Sequence, residues 1–358
     1  MERAEQKKKS SSSKRLELFL AACLYYSGLV SLARWHTRRS KKLVILCYHR
    51  MSGGYLREHM HYLKRHYRLL HLETALEELY QSPGQKYPGR DQRTDLVITS
   101  DDGYHDLYTY GLPLARELQV PITVFLLPGY VESGKNFWWQ EPEHLLHVTP
   151  LKEVTFQGKN YCLNNPQEKQ SLLKALDTGL RHTSSVVIQQ QFLEEAYKAL
   201  AVSLAGEVTV AKEILPLNWT EVRIMDADSW ISFAAHTMYH PILAYLDDPA
   251  ELQYEVNECR AELEKQLGHS IQAFAYPVGK NEHFEEKGYQ AVKAAGYSWA
   301  VTCIHGLNSS QTDPHRLHRL IVDVDQHWLM IAAKASGLWD ILVYTGRIPV
   351  VFLRNMFK

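Results

Sequence analysis

Two short stretches of this chain hold residues able to do chemistry. Thr99-Ser100-Asp101-Asp102-Gly103 closes one apolar run, and His236-Thr237-Met238-Tyr239-His240-Pro241 closes another. Adjacent carboxylates straight after an apolar strand are costly to desolvate unless a cation or hydrogen bonds compensate, so Asp101 and Asp102 invite a metal ion. The plainer alternative is a helix N-cap followed by a turn glycine. Histidines at i and i+4 lie about 40° apart on a helical turn, which lets the imidazoles of His236 and His240 face one ion, with Pro241 limiting how the turn continues. In a chain with 18 histidines such a pair also arises by accident. Its weight comes from both motifs ending comparable apolar runs. Two histidines and one carboxylate leave coordination positions open, the pattern of a catalytic rather than a closed structural centre. Phe274-Ala275-Tyr276-Pro277-Val278-Gly279 is by itself only a strand and a turn. Beside a metal, a free N–H in that turn would bind a developing oxyanion.

These motifs need elements to carry them to one place. Leu43–Leu46, Leu96–Ile98, Ile122–Phe125, Ile231–Phe233, Ala273–Ala275, Trp299–Val301 and Leu320–Val322 are apolar runs of strand length, most of them without polar alternation. Strands buried on both faces with helices between them predict an α/β fold with parallel strands, either a barrel or a doubly wound sheet. Such folds place their sites at the carboxyl ends of the strands, where these motifs lie. Helices are predicted over Leu56 to Tyr80, over Pro249 to Leu267 with a stop at Gly268, and over Phe284 to Ala295 with a stop at Gly296. The interval from Pro128 to Leu217 breaks the rhythm. A structureless loop of about ninety residues is improbable in a compact domain, so it reads as an insertion. A strand-like piece, Val154 to Leu163, precedes a helix-rich stretch from Gln167 to Ala205.

The ends differ from the middle. Arg3, Lys7, Lys8, Lys9, Lys14 and Arg15 precede an apolar segment, Leu16 to Ala33, and Arg34, Arg38, Arg39, Lys41 and Lys42 follow it. Its eighteen residues reach about 27 Å as a helix, just short of a hydrocarbon core of roughly 30 Å. Basic flanks on both sides suit a helix lying in a membrane interface, and a helix packed on the domain is the alternative. Leu20-Ala21-Ala22-Cys23 looks like a lipoprotein processing site, but Glu17 interrupts the few apolar residues before it and the apolar run continues beyond. The stretch from His327 to Lys358 is again apolar, with Trp328, Trp339, Val350, Val351, Phe352 and Phe357, and reads as a cap on the domain or a second lipid contact.

Composition narrows the functional classes. Forty Lys and Arg balance forty Asp and Glu, which removes the basic field that nucleic-acid binders use to recruit phosphates. The basic N-terminus abuts an apolar segment, and lipid headgroups explain it better than nucleic acid. The five cysteines, Cys23, Cys47, Cys162, Cys259 and Cys303, are odd in number and widely spaced, against a disulfide scaffold or a zinc knot.

Leu46-Cys47-Tyr48-His49-Arg50, Thr99 to Gly103, Asn218-Trp219-Thr220, His236 to Pro241 and Phe274 to Gly279 fall in an order that resembles the polysaccharide deacetylases of the carbohydrate esterase family 4 type, the NodB-homology domain. The resemblance runs from about Leu43 to Asp323. It implies a distorted (β/α)7-type barrel at residues 41–325 with a helical insertion at about 130–216, preceded by a membrane-associated helix within 1–40 and followed by an apolar tail at 326–358. It implies hydrolysis of an N-acetyl group from an amino-sugar polymer or lipid-linked glycan. The cofactor is a divalent metal, zinc foremost, with cobalt, nickel or manganese as alternatives. On the matching positions, Asp102, His236 and His240 bind the metal, Asp101 is the general base, and the Val278 N–H supports the oxyanion. Tyr276 and Trp219 line the sugar site or belong to the core. The chain is most similar to a membrane-associated bacterial branch, which implies the inner membrane, on a side left open. A variant reading is a deformylase of a lipid-linked amino sugar, and a competing one is a glycan-binding protein without turnover.

Three departures from the family pattern matter. Ser100 stands where Phe is usual. Ala275 takes the place of an arginine that orients the base, so Asp101 must be held by something else. The late Leu-x-His element of the general acid is represented by Leu317-His318-Arg319. His318 is the first candidate for the acid, with His49, His305 and His315 as others.

Overall fold

The structure, a computed structural model, describes residues 11–81, 91–203 and 211–344. Ten strands are present among them: β1 (Val44–Tyr48), β2 (Tyr67–Leu70), β3 (Thr94–Ser100), β4 (Ile122–Leu126), β5 (Glu153–Phe156), β6 (Lys159–Cys162), β7 (Ile231–Ala235), β8 (Ala273–Ala275), β9 (Trp299–Val301) and β10 (Leu320–Ile321). Seven form a parallel sheet in the order β10-β1-β3-β4-β7-β8-β9, and β2 pairs with the first half of β3. A parallel bridge between Val301 and Leu317 joins the β9 edge to the chain entering β10, so the sheet curls into a distorted barrel. Helices cross back between the strands of this sheet from β1 to β9, as parallel connections require, while β9 passes to β10 through residues 302–319 without one.

The apolar runs lack alternation because both faces of each strand are covered. Leu43, Ile45, Val97, Phe125, Ala234, Ala273, Ala275, Val301 and Leu317 pack into the barrel interior. Their neighbours Val44, Leu46, Tyr48, Leu96, Ile98, Val124 and Leu126 pack outward beneath the helices. Three alanines on the inner face leave space in the barrel, and the fully buried Arg319 fills part of it, its guanidinium 5.5 Å from the Phe125 ring centre.

The expected continuous helix from Leu56 to Tyr80 is a helix, a strand and a second helix: Leu56–His66, β2 and Leu72–Tyr80. Tyr67, Leu69 and Leu70 satisfy a helical period as readily as a strand's. The decision comes from β3, which offers an unpaired edge to β2, and from Arg68, whose side chain bonds Asp95 on β3 at 2.6 Å and also Glu78. The helices Pro249–Leu267 and Asn281–Ala294 end as their glycines predict, with Gly268 and Gly296 left-handed at φ 77° and 78°.

The interval after β4 contains helices Pro128–Ser133 and Glu141–Val148, the antiparallel hairpin β5-β6, and helices Pro166–Arg181 and Val186–Ala199. Leu145, Val154, Phe156, Tyr161, Leu172, Leu176, Tyr197 and Leu200 give it a core of its own. After β10, the helix Trp328–Ala335 buries Leu329, Met330 and Ala333 against Ala21 of the N-terminal helix Ser11–Tyr26. The basic residues Arg3 to Lys9 and the segment from Arg347 to Lys358 lie outside the described residues.

Candidate active site

The loops at the carboxyl ends of β1, β3, β7 and β8 meet at one rim, and the backbone there is strained. Asp102, Thr237, His240 and Val278 all take left-handed conformations, with φ of 73°, 70°, 60° and 59°. Non-glycine residues held this way cost about 1–3 kcal/mol each and persist only where their surroundings over-determine them. Here the surroundings do so. Glu255, from helix Pro249–Leu267, accepts the N–H of Met238 at 2.9 Å and of Tyr239 at 3.0 Å, while Thr237 Oγ1 accepts the N–H of His240 at 2.9 Å. Gly129 lets the Tyr239 ring close in, since a Cβ there would stand 2.2 Å from it.

The result brings Asp102, His236 and His240 together. His236 Nε2 lies 3.7 Å and His240 Nε2 3.9 Å from Asp102 Oδ1. The three side chains are buried, and each offers a ligand atom within 4.8 Å of the others. These separations are too long for direct hydrogen bonds and suit ligands about 2 Å from a shared ion. His236 Nδ1 donates to the Ala275 carbonyl at 2.7 Å, which fixes the tautomer and leaves the Nε2 lone pair facing Asp102. Burial lowers the pKa of His236 to about 4 and moves that of His240 the same way, so both rings are neutral and able to ligate. The donor set fits a divalent ion such as zinc.

Asp101 sits beside this trio on a different partner. Arg319 Nη1 donates to Oδ1 at 2.6 Å and Nη2 to Oδ2 at 2.8 Å, a bidentate pair with both side chains buried. Burial alone would raise the Asp101 pKa, but the charge and hydrogen bonds of Arg319 hold it well below the usual carboxylate range. The arginine lacking at Ala275 is thus replaced by one arriving from the entry to β10, next to the histidine singled out in the sequence. Cys47 and Cys303 flank the pair, with Cys47 Sγ 3.5 Å from Asp101 Oδ2 and Cys303 Sγ 3.4 Å from Arg319 Nη2. Like the other cysteines, neither forms a disulfide.

The remaining predicted site residues divide. Val278 lies at the rim half-buried, and its N–H meets no acceptor among the described residues. Tyr276 does not line a sugar site. Its ring is fully buried and stacked on Phe284 with centres 4.1 Å apart, and its hydroxyl donates to the His315 carbonyl. Trp219 begins helix Trp219–Asp226, and its indole N–H donates to Glu132 at 2.8 Å. Asn218 caps that helix through a capping box with Glu221, which accounts structurally for the Asn-Trp-Thr motif.

His318 does not join the cluster either. Successive residues of an extended chain point to opposite sides, and since Arg319 points into the barrel, His318 points out, its ring packed over Gly306. His315 is occupied by the Tyr297 carbonyl at 2.8 Å. His49, at the end of β1, does reach the site. Its ring nitrogen, Cys47 Sγ and an Asp101 oxygen all lie within 4.8 Å of one another, and it is half-buried. Trp138 and Trp139, at the start of the insertion, were not singled out in the sequence. Trp139 lies against the His240 ring with centres 4.6 Å apart, and Trp138 Nε1 donates to the His240 carbonyl at 3.2 Å. Adjacent tryptophans at the mouth of an insertion were the available signal.

This geometry accompanies a family match. The polysaccharide deacetylase family matches residues 89–300, more than half of the chain, and the chain belongs to that family. Its members are hydrolases of amide bonds, and the curled parallel barrel is their fold. Among solved structures, the chain is similar to the Streptococcus pyogenes deacetylase PplD in complex with acetate, at 16% identity and a TM-score of 0.53, over 82% of this chain and 98% of that one. It is also similar to the deacetylase domain of BpsB from Bordetella bronchiseptica, at 12% identity and a TM-score of 0.50, over 79% and 97% of the two chains. A search of curated proteins found no match.

Two outcomes follow from the supports of the site. Arg319→Lys keeps the charge but loses the paired hydrogen bonds, so turnover is expected to fall about 10–100-fold with the fold retained by circular dichroism, whereas Arg319→Ala, which leaves Asp101 buried and unpaired, is expected to cost about 3–5 kcal/mol in denaturant unfolding. For Glu255, burial raises the pKa from 4.5 to about 8 against the opposing Tyr239 and Met238 N–H groups. The folded state therefore holds an extra proton between those values, and this contribution to stability is complete below pH 4.5 and lost as pH rises through 8. Glu255→Gln keeps an acceptor for both N–H groups, so its melting temperature is expected to decline less than that of the unmodified protein as pH rises from 5 to about 8.5.

Proposed function

We propose that this chain is a metal-dependent de-N-acetylase of an amino-sugar glycan, polymeric or lipid-linked, working at a membrane surface. The observation that carries the reading is the pairing of two unlike carboxylates. Asp102 faces two neutral histidines across a gap sized for an ion, while the adjacent Asp101 is held out of that set by Arg319. A binding protein has use for the first arrangement and none for the second. When bound by Asp102, His236 and His240, a divalent ion supplies Lewis-acid polarisation of the acyl carbonyl and makes a nearby water more acidic.

The other steps fall to the chain's own side chains. Asp101, ionised throughout the working pH range, accepts the proton of the attacking water, and Arg319 keeps its oxygens aimed. As the carbonyl carbon becomes tetrahedral, the Val278 N–H is placed to stabilise the developing oxyanion. His49 delivers a proton to the sugar nitrogen as the C–N bond breaks, and acetate and the free amine leave. His49 takes this role in place of His318 because it stands beside Asp101 and is only half-buried. Trp139, half-buried beside His240 and backed by the stacked ring of Phe137, takes the place of Tyr276 as the aromatic contact for the sugar.

Acetate release by the purified full chain from N-acetylglucosamine oligomers and from a lipid-linked N-acetyl sugar tests the reading. Release is expected to stop with chelator and return with zinc, and Asp101→Asn is expected to lower kcat about 10²–10⁴-fold while zinc still binds. Glycan binding without acetate from any substrate would favour the non-catalytic reading. The acid is assigned by a second comparison: His49→Asn is expected to lose about 10²–10⁴-fold in kcat and the basic limb of the pH profile, and His318→Asn to stay within about threefold of the unmodified enzyme.

A further inference from the structure

Among the described residues, the two N-terminal helices present an unpartnered face whose occupant their chemistry specifies. Ser11–Tyr26 and Leu29–Arg39 are separated at Ser27-Gly28, where Gly28 turns left-handed at φ 83°, and the pair is bent by 70°. Among the described residues no single helix is long and apolar enough to cross a membrane. The inner face of the pair is fixed to the barrel on both sides of the bend. Ala21 and Val30 are completely buried, Tyr25 packs edge-on against Trp328, and Thr37 Oγ1 donates to the Ser336 carbonyl. The outer face carries Phe19, Tyr26, Leu29, Leu32 and Trp35, each 44–75% exposed. A soluble surface seldom gathers so many large apolar side chains within seventeen residues.

Charge completes the pattern. Between residues 11 and 42 there are seven Lys and Arg and one acid, Glu17, in a chain that is neutral overall. Lys14, Arg15, Arg38, Arg39 and Lys41 are exposed, and the Arg39 guanidinium lies 4.6 Å from the centre of the Trp35 ring. An aromatic with a cation stacked on it, at the edge of an apolar face, is suited to the headgroup level, where the ring meets acyl chains and the cation meets phosphate.

We propose that the bent pair is a monotopic wedge that seats the barrel on one leaflet of an anionic phospholipid bilayer, Phe19, Tyr26, Leu29, Leu32 and Trp35 entering the acyl boundary and the basic residues binding the headgroups. A spanning helix would be surrounded by lipid, and here one side of each helix is occupied by the barrel. Burial of such a face to about 5–10 Å, with electrostatic attraction, is the ordinary mode of interfacial helices. The inference rests on the membrane-surface part of the proposed function and not on its chemistry.

Flotation of the full chain with vesicles of phosphatidylcholine, with and without phosphatidylglycerol, tests it. Partition is expected to rise at least about tenfold with the anionic lipid and to fall at high salt. Leu32→Glu with Trp35→Glu is expected to abolish it while acetate release from soluble oligomers is unchanged. Arg38→Glu, Arg39→Glu and Lys41→Glu together are expected to lower partition to anionic vesicles about 100-fold, from roughly 1 kcal/mol per basic residue. In a Cys23→Ser background expressed in cells, Lys14→Cys and Ser40→Cys are expected to react with an impermeant maleimide from the same side of the membrane. Labelling from opposite sides would overturn the wedge in favour of a span. Equal binding to neutral vesicles would overturn the anionic headgroup. Indifference to vesicles, with a dimer that Leu32→Glu and Trp35→Glu disperse, would make the face a contact between two copies. If vesicle binding fails while soluble oligomers are still hydrolysed, the membrane part falls and the hydrolase stands.

Discussion

A buried charge must be answered by another, and the pair formed by Asp101 and Arg319 is the constraint around which the rest of this barrel is arranged. Arg319 is fully buried and Asp101 nearly so, and desolvation on this scale is tolerable only with near-ideal geometry. The barrel supplies it. Alanines at 234, 273 and 275 hollow the interior, Phe125 gives the guanidinium a flat neighbour, and the Thr302 carbonyl, the Thr99 hydroxyl and Cys303 Sγ take its remaining hydrogen bonds. Because Arg319 claims both oxygens of Asp101, the neighbouring Asp102 is left to face the histidines. Two adjacent, chemically identical residues acquire different roles through what each one meets.

The rim shows the opposite economy. Asp102, Thr237, His240 and Val278 are held where side chains resist being held, and two of them are β-branched. Such conformations are kept by hydrogen bonds from behind, above all those accepted by the buried Glu255 from the histidine loop. The cost is what brings two imidazoles to face Asp102, since a relaxed loop would direct them elsewhere. The insertion adds a wall to the same space through Trp138 and Trp139, and its separate core lets it do so without disturbing the barrel. On the far flank, the terminal helices pack on one another and leave an apolar, basic face outward.

Local chemistry and periodicity made much of this legible in the sequence. Apolar runs without alternation specify strands covered on both faces, and glycines past the helices Pro249–Leu267 and Asn281–Ala294 mark their ends. The Asp-Asp-Gly and His-x3-His motifs carried the candidate metal-ligand set because ligand types and spacing are properties of a few neighbouring residues. Tertiary contacts decided the rest. Tyr67–Leu70 became a strand because β3 had an edge to pair with, and Tyr276 became core because Phe284 was there to stack on it. His318 and Arg319 are neighbours in the chain, yet the alternation of an extended backbone sends one outward and the other to Asp101, 218 positions away. Which of two adjacent side chains faces the site depends on strand register, and register is set by pairing across the barrel rather than by the residues themselves.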